Sequence, residues 1–287
     1  MSTEQQQLYS WNDLRNAIHS VGITAGDLVM MHIGIERIGI PRELENGKFP
    51  EGKINAFYKE FVTILEELGT VLIPAFSYSF CGKQEIFDPK TTPSKVGGFS
   101  NYIIQQGRWK RSMDPLFSML GWGKLIDELF MNLPQTSFGN NCLFARLLQH
   151  NAKVCYIGGL DNILTAFHHF EYLNKVPYRY EKNFHGIVVT NTSKEDQDWT
   201  YWVRVLDART VPTTVSLERD LLNRGIMKRI FIGNSHISGF NLKDYFDAAQ
   251  EYIDKDIFSF IQEPIPLGEL NRLIQDDIEK SKGVKNK

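Results

Sequence analysis

The sequence predicts an α/β fold, with a mostly parallel central sheet flanked by helices and an antiparallel β-hairpin inserted late in the chain. Three observations predict it. Short apolar runs at Leu28–His32, Val71–Ala75, Val154–Ile157 and Arg229–Ile232 read as strands buried on both faces, as strands of parallel sheets are. Stretches with helical apolar spacing separate them. From Gly186 to Val205, two β-rich runs flank a polar stretch, which is a hairpin pattern.

Taken in order, Leu8, Trp11, Leu14, Ile18 and Val21 recur at helical spacing, and Gly22 and Gly26 flank the exit of that helix. The first strand follows, then a glycine-containing stretch, a helix from about Lys53 to Leu68, and the second strand. Residues 77 to 115 are irregular and rich in Gly, Pro, Ser and Thr; a loop of that length in a compact domain is ordinarily functional. Leu116–Met119 resumes the sheet and a helix spans about Lys124 to Leu133. A helix over Leu143–Gln149 leads to the strand Val154–Ile157, a Gly158-Gly159 turn and a helix holding His168 and Glu171. After the hairpin (about 186–206), the strand Arg229–Ile232 runs through Gly233-Asn234-Ser235 into a closing helix near Leu242–Ile253. The charged tail, about 279–287, reads as frayed. No internal repeat or linker divides the chain, so a single domain over 1–287 is expected.

Composition narrows the function. With 32 Lys+Arg against 34 Asp+Glu, the formal charge is -2, which makes no electrostatic case for nucleic acid, a partner that needs a basic face. Cys81, Cys142 and Cys155 are irregularly spaced and form neither a disulfide framework nor a CxxC metal pair. No apolar run reaches the roughly 18 residues of a membrane span. The polar start Met1–Gln7 lacks a secretory apolar core. A cytoplasmic protein with no membrane or nucleic-acid partner and no metal is expected.

Chemistry concentrates in Thr165-Ala166-Phe167-His168-His169-Phe170-Glu171, just after Ile157-Gly158-Gly159-Leu160-Asp161. A strand, a glycine turn and a helix start place this segment where open α/β sheets put their sites. His168 and Glu171 are three apart and share one helix face. The carboxylate can hold the imidazole in one tautomer, which is what a general base requires. An isolated HxxE is also a common packing pair, and two ligands do not make a metal site. Cys142 precedes a helix, where backbone N–H groups favour thiolate; a lone cysteine is more often a small buried hydrophobe. Arg111-Ser112, after Arg108 and Lys110, suits a pyrophosphate or makes a solvated charged turn. Gly34–Gly39, Glu45–Lys48 and Gly233–Ile237 lack the spacings of a dinucleotide loop, a P-loop and a nucleophile elbow.

In combination and in order, these pieces resemble the aminoglycoside 3-N-acetyltransferase family, with its antibiotic N-acetyltransferase fold, from about Leu8 to Ile253. The landmarks are Gly26–His32, Gly69–Tyr78, Phe87-Asp88-Pro89, Thr92-Pro93-Ser94 with Gly97, Arg111-Ser112, Phe138-Gly139, Gly158–Asp161, Thr165–His168 with Glu171, and Gly233. The resemblance implies acyl-coenzyme A as donor and a primary amine on a sugar as acceptor. It implies His168 as base and Glu171 as its orienter, with Ile33, Gly34, Ile35, Phe76, Ser77, Ser94, Val96, Gly97, Arg111 and Ser112 around the coenzyme. Three departures stand out. Ile33-Gly34 replaces the family's Ser-Ser, Asp114-Pro115 replaces a frequent His-Pro, and Cys142 stands where relatives commonly have Ser. A thiol near His168 would permit a covalent acyl-Cys142 intermediate. The near-neutral charge fits an acceptor with few amines and its own phosphate, like the dTDP-linked 3-amino-3,6-dideoxyhexoses of surface-polysaccharide (O-antigen) synthesis. An aminoglycoside-modifying enzyme, a Cys142-dependent thioester or amide hydrolase and an inactive binding protein are the rivals, and a homo-oligomer is left open.

Overall fold

The computed structural model describes residues 8–48, 51–81, 85–160 and 164–284, with side chains to 280. Its strands are β1 (Asp27–Ile33), β2 (Gly69–Pro74), β3 (Ile86–Phe87), β4 (Lys110–Arg111), β5 (Met119–Trp122), β6 (Lys153–Ile157), β7 (Arg179–Val189), β8 (Lys194–Arg204), β9 (Lys228–Ile232) and β10 (Ser235–Asn241). The helices are α1 (Trp11–Ser20), α2 (Ile35–Ile38), α3 (Lys53–Glu67), α4 (Gly98–Gln106), α5 (Ile126–Phe130), α6 (Leu143–Gln149), α7 (Phe167–Leu173), α8 (Val215–Asn223), α9 (Leu242–Ile253) and α10 (Leu267–Val284).

Among the described residues one sheet has seven strands in the order β4-β5-β2-β1-β6-β10-β9. The α/β class and the helix-flanked central sheet stand as expected. Its middle, β2-β1-β6, is parallel, and both wings are antiparallel. Short connections return the chain antiparallel beside its neighbour in the outer pairs β4–β5 and β9–β10, whereas β5 and β10 join β2 and β6 only after long excursions, from Pro74 to Met119 and from Ile157 to Ser235. Period-two alternation divides the strands between two cores. Met30, Leu72 and Val154 face α6, α7 and α9, whereas Val29, Met31, Ile73 and Cys155 face α1, α3 and α4.

The hairpin is longer than the sequence indicates and begins at Arg179, with β7 and β8 paired from Arg179↔Arg204 to Val189↔Lys194. Residues Lys194–Asp198, read as a polar connection, are the outer half of β8. Solvent on both sides of that half removes the apolar alternation that marks a strand. β3 adds to β7 in parallel, so the long loop is sewn to the hairpin in a second, three-stranded sheet. Several elements went unread: the helices α4, inside the stretch read as irregular, and α8, the short α2, β3 and β4, β10, an antiparallel neighbour of both β9 and β6, and α10, which makes the expected frayed tail helical through Val284. Asp161 lies outside the described residues.

Candidate active site

The carboxyl ends of β1, β2 and β6 lie together at the centre of the sheet, where the chain leaves β1 and β6 for different helices. Gly158 makes this junction possible. Its φ is +87°, and a Cβ there would lie 2.2 Å from the Gly34 carbonyl oxygen; no other residue fits. The junction leads through Thr165 into α7. Phe167 and Phe170 stack on each other and pack against Tyr245, Phe246 and Phe260. That apolar anchor fixes the helix with His168 and Glu171 toward the hairpin.

His168 Nδ1 lies 2.8 Å from Glu171 Oε2, the pairing expected from their spacing. The His168 side chain keeps 23% exposure while that of Glu171 has none. The sequence reading missed the third member, Arg179 at the start of β7. Its Nε lies 2.7 Å from Glu171 Oε2, with its own side chain 2% exposed, and its Nη2 lies 2.8 Å from His168 Nδ1. Nη1 donates to the Trp202 carbonyl, and the Phe138 and His168 rings meet perpendicular to each other at 5.5 Å between centroids. Arg179 announces itself only as an arginine whose flanking residues, Tyr178 and Tyr180, give no hint of a partner.

The protonation states follow from this packing. Burial first, and then the Arg179 cation, lower the His168 pKa, while Glu171 pulls it up; the net direction is down. Burial alone would raise Glu171, but Arg179 and His168 outweigh it and hold the carboxyl below its ordinary range. The site therefore holds a neutral imidazole beside an ionised carboxylate at neutral pH.

Cys142 does not meet His168 in this arrangement. It caps α6, is buried, and its Sγ lies 3.7 Å from Nδ1 of the neighbouring His169. Burial raises its thiol against the lowering effect of the Ala145, Gly139 and Phe144 amides. The expected thiolate is thus replaced by a thiol, because a short helix start does not outweigh complete burial.

A cleft of about 540 Å³ opens outside the strand ends, bordered by His32, Ile33, Gly34, Pro74, Phe76, Tyr78, Lys95, Val96, Gly97, Leu160 and Thr165 among others. Five expected coenzyme positions line it: Ile33, Gly34, Phe76, Val96 and Gly97. The other five do not, and each has a structural task. Ile35 is buried in the core of the α1–α3 side. Ser77 donates to the Pro115 carbonyl, Ser94 accepts from the Val96 amide, and Ser112 accepts from the Met119 amide. The Arg111 guanidinium donates to Ser118 and to the Thr92 and Ala75 carbonyls and lies over the Phe87 ring. It is a buried strut of the long loop rather than a free cation. Lys95, unread in the sequence, supplies an exposed ammonium on the cleft wall. Asp114 of the Asp-Pro pair accepts from the Leu116 and Phe117 amides and from Ser137, closing the same loop. Among the described residues no group of three His, Cys, Asp or Glu could hold a metal ion. Nor is any helix among them long and apolar enough to cross a membrane.

Comparison with known proteins decides the lineage. The sequence profile described as aminoglycoside 3-N-acetyltransferase matches residues 30–254. This chain belongs to that family. The fold is shared with several solved family structures. A binary complex of AAC-IIIb with CoASH has a TM-score of 0.70 at 17% identity, covering 90% of this chain and 100% of that one. Sisomicin-bound AAC-VIa, from a room-temperature neutron/X-ray study, gives 0.70 at 18%, covering 86% and 98%. YokD from Bacillus subtilis gives 0.67 at 15%, covering 87% and 94%. No curated protein matches the sequence. As a family member the chain is an N-acyltransferase enzyme.

Proposed function

We propose that the chain transfers an acyl group from acyl-coenzyme A to the primary amine of an amino sugar, with His168 as general base. The observation that carries this reading is the His168–Glu171 pair on α7, with the carboxylate fully buried and the imidazole partly exposed, three residues beyond Thr165 on the border of the cleft. AAC-IIIb, a structural relative, is described with CoASH. The cleft suits such a donor: Ile33, Phe76 and Val96 offer apolar walls, Gly34 and Gly97 leave the path free of side chains, and Lys95 offers a cation to a phosphate.

In the reaction, a neutral amine nitrogen attacks the thioester carbonyl carbon. The new C–N bond forms, the C–S bond breaks, and the sulfur leaves with its electron pair. His168 accepts the proton shed by nitrogen and returns it to the thiolate, giving an amide and coenzyme A thiol. Glu171 steadies the transient imidazolium. Direct transfer needs no covalent intermediate, and the Cys142 thiol, paired with His169, is not called upon.

For the acceptor, we favour a nucleotide-linked 3-amino-3,6-dideoxyhexose, such as a dTDP sugar of surface-polysaccharide synthesis. The charged groups acting on His168 are Arg179, Arg204 and Glu171, and the one carboxylate among them is already paired. A polycationic drug would want surplus carboxylates, whereas a phosphate-bearing sugar does not. The competing reading is aminoglycoside acetylation, favoured by the family's description and by the sisomicin complex of AAC-VIa. A screen of several acyl-coenzyme A donors, following thiol release, separates the two. Turnover with dTDP-amino sugars and none with gentamicin-like drugs supports our reading, and the opposite pattern refutes it. Equal release of free acid with and without amine would instead mark a thioester hydrolase.

A further inference from the structure

We propose that Arg179 is a positioning residue that sets the proton state of the His168–Glu171 pair and so the lower edge of the enzyme's working pH range. The proposal rests on His168 as the base for its kinetic readout, though not for its titration readout.

The geometry is a three-body contact in which Glu171 and Arg179 are buried and only His168 keeps some exposure. Arg179 reaches Glu171 Oε2 with Nε at 2.7 Å and His168 Nδ1 with Nη2 at 2.8 Å, and Glu171 Oε2 is also 2.8 Å from that same Nδ1. A carboxylate with no exposed surface is expensive to leave charged and unpaired. Without a fixed cation it would keep a proton or draw one onto the neighbouring imidazole. Arg179 meets that demand permanently, because guanidinium does not lose its proton near neutral pH. The carboxylate then stays ionised, yet most of its attraction is already answered by Arg179, and the imidazole is not driven to imidazolium.

The tautomer is at stake as well. Nδ1 faces an acceptor, Glu171, and a donor, Arg179. When Nδ1 carries the proton it donates to Glu171 and leaves the Nε2 lone pair for the amine. Donation from Arg179 into Nδ1 puts the proton on Nε2, where the ring cannot act as a base. Holding Glu171 ionised favours the first arrangement. The groups that bear on this balance are Glu171 on α7, Tyr178 just before β7, Arg179 on β7, and Arg204 and Tyr201 on β8; Tyr178 acts on both Glu171 and Arg179, and Tyr201 acts through Arg179.

The test titrates the His168 ring directly, by NMR of full-length protein labelled at histidine nitrogen, with the signal assigned from its loss in His168→Asn. In Arg179→Gln the midpoint should rise by about one pH unit, the size expected when a close cation is removed. The acid limb of kcat/KM should move upward with it. Arg179→Lys keeps the charge and should titrate within about 0.3 pH unit of the wild type. A midpoint unchanged in Arg179→Gln overturns the proposal. Should the Gln variant not fold, Arg179→Lys carries the test, and a rise of about one unit there also overturns it. If His168→Asn keeps its turnover, the base assignment fails instead, while the ring titration stays readable.

Discussion

Replacing Arg111 by Met separates two roles for one residue. The sequence offered it as a grip for pyrophosphate, whereas the structure gives it three internal acceptors, Ser118 Oγ and the Thr92 and Ala75 carbonyls. Met keeps the length and much of the volume but removes every donor. Each hydrogen bond from a charged donor contributes about 1.5–3 kcal/mol. Part of that is offset because a cation no longer has to be buried, a cost visible in the fall of the Arg111 pKa to about 10. Ala75 also keeps its bond from Ser118, whereas the Thr92 carbonyl loses the Arg111 donor. The net loss should be about 3 kcal/mol, which in a chain of this size lowers Tm by roughly 6–12 °C. Differential scanning calorimetry reads the stability, and steady-state kinetics at 15 °C, below the transition, read the coenzyme. KM for acyl-coenzyme A should then change less than about threefold, because the guanidinium does not face the cleft. A Tm within about 2 °C of the wild type, with KM raised about tenfold or more, would refute the strut and restore the pyrophosphate grip.

Cys142→Ala should keep kcat within about threefold of the wild type, and intact-mass spectrometry of enzyme mixed with acyl-coenzyme A alone should show no acyl adduct. An adduct lost in the Ala variant would reinstate the covalent route. Lys95→Ala should raise KM for acyl-coenzyme A by about 3–10-fold and leave kcat unchanged, as loss of one exposed phosphate contact does; an unchanged KM removes Lys95 from the coenzyme site. Burial raises Asp114 to about 6 from an ordinary 3.8, so its contribution to stability is greatest at low pH and is lost as pH rises through 6. The stability difference between wild type and Asp114→Asn should therefore shift by about 2.5 kcal/mol toward the variant between pH 4 and pH 7.5, by urea titration. A flat difference contradicts it.

Much of the scaffold was legible because its signals are local. The apolar runs of β1, β2 and β6 sit where expected, and the expected closing helix is α9. The His168–Glu171 contact follows from helical spacing alone. What escaped has identifiable causes. β10 was heralded by Gly233-Asn234, a two-residue hairpin signal, but its Ser, His and Gly content hid the strand. α10 carries Leu267, Leu270, Ile274 and Ile278 at helical spacing, masked by the charges between them. Arg179 and Arg111 defeat a linear reading for a deeper reason. Whether an arginine grips a ligand, a buried carboxylate or backbone carbonyls depends on partners distant in sequence. Arg111 meets Ala75 and Thr92, and Arg179 closes on Glu171 and His168 only because β7 returns beside α7.

The central claim is that the imidazole of His168 removes the amine proton. Its most direct test is kcat of His168→Asn with acyl-coenzyme A and an amino-sugar acceptor, on protein shown by calorimetry to be folded. Asn preserves hydrogen bonding without basicity, and a loss of about 10²–10⁴-fold, the range for an absent general base, is predicted. A loss of less than about threefold would contradict the account.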